Sequence, residues 1–317
     1  MRLLFLTSCL ILLAALVIGC SRPGEAPDAP PPPHHYSLPA DLLEKRAVYR
    51  ELAPSRQNAN GFIETDHCDS LLLTSLLGVG GVPITNIHAA EEPGVPGKWL
   101  RRDLDSGRCY PNGGSKSSIS RDMLLGLMWY AWHQRSLSIL EQLYEYGSNN
   151  DWVMGEGDVA RTGMRTLRGT LAAAIHALGG SRRIGEELLT DPQLIVKEGY
   201  EAHLQVLIIL LRGEIYGELS TYSLHVIRGL ADENPDSPIM QAAAARWVHS
   251  DYAARFLAAA RNTQYFPAYR LPTSADRCID WATQQNSPAD WIPCPERGKI
   301  HSGGDLLFAM YVIQEDK

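Results

Sequence analysis

Three apolar stretches of this chain open on the same kinds of residue. Thr65-Asp66-His67-Cys68-Asp69-Ser70 precedes Leu71-Leu72-Leu73, Ser118-Ile119-Ser120-Arg121-Asp122 precedes Met123-Leu124-Leu125, and His301-Ser302-Gly303-Gly304-Asp305 precedes Leu306-Leu307-Phe308. A looser fourth start, Met154-Gly155-Glu156-Gly157-Asp158, precedes Val159. Two carboxyl groups gathered at one site suit acid–base work. One stays protonated and gives a proton, while the other activates water or steadies positive charge. Flanking a glycosidic bond, such a pair can cleave it. Asp66, Asp69, Asp122, Asp158 and Asp305 are therefore the candidate acids, and His301 is a candidate base or proton shuttle. Each acid alone has a plainer role. Asp or Ser at a helix start satisfies free N–H groups and the helix dipole, at about 1 kcal/mol.

Binding groups lie nearby in sequence. Trp99, Trp152, Trp281 and Trp291 fall in irregular stretches and could offer flat faces to sugars, whereas Trp129 and Trp132 sit at i, i+3 in a helix and read as core. Arg101 and Arg102 follow Trp99, and Arg121 stands beside Asp122. A guanidinium at these places could hold a carboxylate or phosphate. The run Asp103-Leu104-Asp105-Ser106-Gly107 has part of a calcium loop's pattern, but its Gly is one position early and the distant Glu is missing. No CxxC pair points to zinc. The sequence has no GxSxG elbow, HExxH or Walker loop, and Gly78-Val79-Gly80-Gly81 follows a helical run, not a strand. The expected chemistry needs no metal or cofactor.

The elements that must position these residues read almost wholly helical. Helical patterns run over 41–52, 69–77, 120–133, 137–146, 159–178, 183–189, 201–219, 222–230, 239–260 and 305–313. Residues 78–117 and 262–300 are broken by Gly and Pro. Met123 to Trp132 and Leu204 to Leu211 are apolar nearly all round, which predicts burial. Leu137 to Tyr146 and Ile239 to Ala260 keep a polar face, which predicts an outer position. Short turns between helices predict antiparallel pairs. The expected fold is all-α: an α/α toroid or part of one, with a globular helical bundle as the alternative. In architecture this resembles the α/α-toroid glycoside hydrolases and polysaccharide lyases over residues 61–317. The resemblance implies a site in a funnel at one end of the inner helices. It carries over no individual catalytic residue, because no signature of one family is present.

The N-terminus supplies an address. Met1-Arg2 leads into an apolar run from Leu3 to Ile18, then Gly19-Cys20-Ser21. A positive start, a short apolar core and a small residue before the cut form an export signal. Val17-Ile18-Gly19-Cys20 resembles the lipobox of bacterial lipoproteins. That resemblance implies removal of residues 1–19, lipidation of Cys20 and a bilayer partner, with Ser21 pointing to the outer membrane. Residues 20–39 read as a proline-rich tether and 40–317 as one helical domain. The net charge of −7 argues against a nucleic-acid partner. Four further cysteines, Cys68, Cys109, Cys278 and Cys294, form an even set in an oxidising compartment. Of three possible pairings, Cys68–Cys109 and Cys278–Cys294 is favoured, each bridge contributing about 3 kcal/mol. The sequence thus points to a membrane-tethered protein acting on a cell-envelope or environmental glycan. Its alternative is a non-catalytic envelope lipoprotein that binds a glycan or a protein partner.

Overall fold

A computed structural model describes residues 33–63, 70–106, 119–155, 165–181, 199–263, 266 and 303–314. Among these the chain is all-α, with ten α-helices and no β-strand. They are α1 (Ala40–Leu52), α2 (Ser70–Val79), α3 (Arg121–His133), α4 (Leu137–Asn149), α5 (Arg165–Ala177), α6 (Gly199–Tyr216), α7 (Thr221–Glu233), α8 (Pro238–Trp247), α9 (Asp251–Arg261) and α10 (Gly303–Ile313). None of the described helices is long and apolar enough to cross a membrane.

The start signals follow local chemistry. Ser220 caps α7 by accepting the Ser223 N–H, and Ser237 caps α8 by accepting the Met240 N–H, with Pro238 in the first turn. The pattern over 239–260 is two helices, not one. Val248 and His249 both turn back to the Ala244 carbonyl, and Ser250-Asp251 starts α9 anew. The two differ in placement. Every residue of α8 is buried, Gln241 and Arg246 included, so the polar residues that suggested an outer face are satisfied inside. The Gln241 amide donates to the Ala231 and Asn234 carbonyls. Helix α4 behaves as expected, burying one stripe built on Ile139, Leu140 and Leu143.

Packing joins six helices in a circuit: α2 on α3, α3 on α5, α5 on α6, α6 on α8, α8 on α10, and α10 back on α2. Helices α1, α4, α7 and α9 lie against this set. Side-chain neighbours give the directions. Leu72 lies against Gly126 and Tyr130 against Gly78, so α2 and α3 run the same way. Trp129 meets Phe308 edge-on at 5.0 Å and His133 meets Tyr311 at 5.0 Å, so α10 runs with α3. Trp129 Nε1 donates to the Leu207 carbonyl, one turn after His203, which meets Asp305, so α6 runs with them. The last turns of α6 and α8 meet through Glu214 and Arg246, and those of α8 and α10 through Arg246 and Val312. Gly180, just past α5, lies against Leu137 at the start of α4, which returns from α3; α5 therefore also runs with α3. All six helices of the circuit start at one end of the body and finish at the other.

The chain enters at the finish end. The His34 and Tyr36 N–H groups donate to the Arg246 and Ile313 carbonyls, and Leu38 is buried. Residues 33–38 are therefore held against the helical body. They are held because the last carbonyls of α8 and α10 need donors.

Candidate functional site

The start end holds the two described candidate acids. Asp305 is the third residue of α10 and its side chain is fully buried. Its Oδ1 lies 3.0 Å from Nε2 of His203 on α6, whose ring is equally buried. The contact fixes the ring's orientation beside a carboxylate, and imidazole is the side chain that exchanges protons nearest neutral pH. Asp122 is the second residue of α3 and only 6% exposed. Its Oδ1 accepts the Ser120 hydroxyl, so Ser120 serves this acid and makes no side-chain cap bond to the helix. The paired-carboxylate picture changes accordingly. Asp305 is engaged by an imidazole inside the body, so the chemically distinct group here is a histidine–carboxylate pair.

The segment Trp99–Arg101 lies across this end. The Ile119 N–H donates to the Trp99 carbonyl at 3.1 Å, and the Leu71 N–H to the Arg101 carbonyl at 2.9 Å. Arg101 and Arg121 are both half-buried here, beside the starts of α2 and α3. Trp99 itself is fully buried, bridged through its backbone to Glu91 and with the His88 ring 5.5 Å away. It is a core residue, not an exposed sugar platform. Trp152 is corrected likewise: it is 8% exposed, with the Arg168 guanidinium over its ring at 4.5 Å and Tyr144 edge-on at 4.9 Å. Irregular backbone suggested exposure for both indoles, but these loops fold back onto helix flanks, where a large aromatic ring gains more from burial.

Asp66, Asp69, Asp158, His301, Cys20, Cys68, Cys109, Cys278 and Cys294 lie outside the described residues, as do Trp281 and Trp291. The acidic run after Arg102 is described. Buried Asp103 accepts from Ser106 on one oxygen and from Asn58 and Asn60 on the other, at 2.7, 2.8 and 3.2 Å. Those donors answer its charge within the loop. No group of three or more His, Cys, Asp or Glu side chains is placed to hold a metal ion among the described residues.

Sequence reasoning passed over His203. Its signal was present as a polar interruption, with Gln205, of the apolar run from Ala202 to Leu211. That run was read only as buried. No family model, curated protein or solved structure matches the chain.

Proposed function

We propose that this chain is a lipid-anchored envelope protein that cleaves a glycan at the start end of its helical body. One observation carries the reading: helices α3, α6 and α10 run the same way, which places Asp122, His203 and Asp305 at one end. The circuit of six same-sense helices supports a toroid-like arrangement, in which such an end faces the substrate. The chain's entry at the finish end leaves the start end clear of residues 33–38. In this reading Asp305 orients His203, His203 exchanges the proton, and Asp122 is the second acid. The lipobox at Val17–Cys20 supplies the anchor.

The test uses the full chain purified in detergent, offered peptidoglycan, neutral polysaccharides and uronic-acid polysaccharides. New reducing ends report hydrolysis, and ultraviolet absorbance of an unsaturated product reports elimination. Asp122→Asn and His203→Gln should each lower the rate about 100-fold or more, the share a general acid–base group supplies, while the circular dichroism of the fold is kept. Wild-type rates in both variants, or no cleavage of any polymer, would overturn the enzyme reading. Mass spectrometry of the mature N-terminus, with Cys20→Ser as control, tests the anchor separately.

One observation favours a second reading. Both described acids are buried with partners inside the body, as structural groups are. In that case the same variants lower stability and leave glycan binding intact.

A further inference from the structure

A cleft of about 480 Å³ opens between α4 and the loop that carries Val95, Pro96 and Lys98. It falls within the ~300–1,000 Å³ range of small-ligand sites. One wall is a helix stripe. Gln142, Glu145, Tyr146 and Asn149 all line the cleft, and their spacing of i, i+3, i+4 and i+7 sets them on one face of α4. Asn150 follows at the end of the stripe, its side-chain amide donating to the Tyr146 carbonyl at 2.8 Å.

The loop wall is ordered by its own backbone. The Glu92 N–H donates to the Lys98 carbonyl at 2.7 Å, the Lys98 N–H to the Val95 carbonyl at 3.1 Å, and the Gly97 N–H to the Glu91 carboxylate at 2.7 Å. Gly97 has φ +79°, and any Cβ there would collide with the α4 backbone at Gln142, so the loop is seated directly on the helix. Walls already in place spare a ligand the entropy of ordering them.

Each wall brings one charge, and the two are opposite: Lys98 on the loop and Glu145 on α4. Among the described residues neither forms an ion pair, with the other or with a third group. A ligand with a single charge would gain one of them and be repelled by the other. A ligand with an ammonium at one end and a carboxylate at the other gains both. Amide side chains stand in the same lining. Gln142 Oε1 makes no hydrogen bond, and Asn149 both donates and accepts, so a peptide group has counterparts here. Val95, 38% exposed, and Pro96 offer apolar surface to a small side chain.

We infer that this cleft binds a zwitterion, either a free amino acid or a short peptide through its two ends, with the carboxylate toward Lys98 and the ammonium toward Glu145. The inference is independent of the glycan reading, because it uses none of Asp122, His203 and Asp305.

The experiment is a ligand-observed NMR titration of the full chain in detergent, at low salt, with alanine, dialanine and trialanine. Dialanine is repeated with its amine acetylated and with its carboxylate amidated. At least one zwitterion should bind, and its length separates an amino-acid site from a peptide site. Blocking either end should weaken binding about fivefold, the upper share an exposed ion pair supplies. Lys98→Met should cost the same factor for the free ligand and nothing further for the amidated one. Glu145→Gln should cost the same factor for the free ligand and nothing further for the acetylated one. Such matched losses isolate each pair. Both side chains lie at the surface of the body, so the melting temperature should stay unchanged. The proposal is overturned if no zwitterion binds, if the blocked peptides bind equally, or if the losses from variant and blocked end add. Displacement of the peptide by an uncharged sugar tetramer would assign the cleft to glycan and overturn it too.

Discussion

The two ends of the helical circuit each bury an ion-pairing couple, and the couples differ in kind. At the finish end the Arg246 guanidinium meets Glu214 at 2.6 Å and donates to the Val312 carbonyl at 2.7 Å, tying α6, α8 and α10 together. Burial pulls this arginine below its ordinary value, yet a guanidinium keeps its proton throughout the physiological range. At the start end His203 and Asp305 tie α6 to α10 through an imidazole and a carboxylate, both fully buried. Both couples hold helices. Only the start-end couple contains an imidazole. The distinction separates a structural pin from a candidate site without reference to any known relative.

Glu214→Leu should have the largest effect, because it leaves Arg246 buried without its carboxylate. Urea unfolding should show a loss of about 3–5 kcal/mol. Adding Arg246→Met should restore most of it. A single-variant loss below about 1 kcal/mol would break the pin half of the comparison.

At the start end, Asp305→Asn keeps a polar partner for His203. It should lower stability by about 1–2 kcal/mol, the range for a weakened buried hydrogen bond, while lowering cleavage much more. Thermal melts run beside rate measurements check this. A variant that melts early and cuts at the wild-type rate would make the start end a second pin.

Gly97→Ala comes next. Its positive φ and its seat on α4 predict about 1–3 kcal/mol of strain. The loop should lift from α4 and open to limited proteolysis before the melting temperature falls. A fall in melting temperature with no new cleavage would show that the loop is not an independent unit.

The finish end also has an alkaline signature. Burial raises the Tyr311 phenol above its ordinary value of 10.0, with Arg246 opposing the shift. The unfolded chain then ionises first. Stability from this group is intact below pH 10.0 and is lost as pH rises toward the folded value. Tyr311→Phe should flatten that fall in a melting-temperature series.

The smallest effect belongs to Asp41 and Arg261, an exposed pair at 2.7 Å. The Arg261 hydrogen bond holds the Asp41 carboxyl below its ordinary 3.8. Its contribution is present above pH 3.8 and disappears as pH falls through the depressed folded value. Arg261→Gln should remove that acid-side slope and leave neutral-pH melts nearly unchanged.

Helix identity was legible because apolar period and punctuation are local. The starts of α7 and α3, and the stop of α5 before Gly179-Gly180, fall within a few residues of their sequence positions. The break between α8 and α9 was missed because Ala and Leu continued the period across Val248-His249, outweighing the Ser250-Asp251 start signal. The inner position of α8 was missed because Gln241 and Arg246 looked like surface residues. Their partners are separated in sequence by up to 66 positions, as for Arg246 and Val312, and no window of helical length contains them.

The site divides along the same line. Sequence alone determined which residue types could do acid–base work, that acids stand at helix starts, and that the described chain is helical. Those follow from side-chain chemistry and from spacing along one strand of covalent bonds. Tertiary structure alone decided that α3, α6 and α10 run the same way, that Asp305 answers to His203, and that Trp99 and Trp152 are packed inside. Helix direction and burial are set by which apolar faces meet, a property of pairs of elements that no single element encodes.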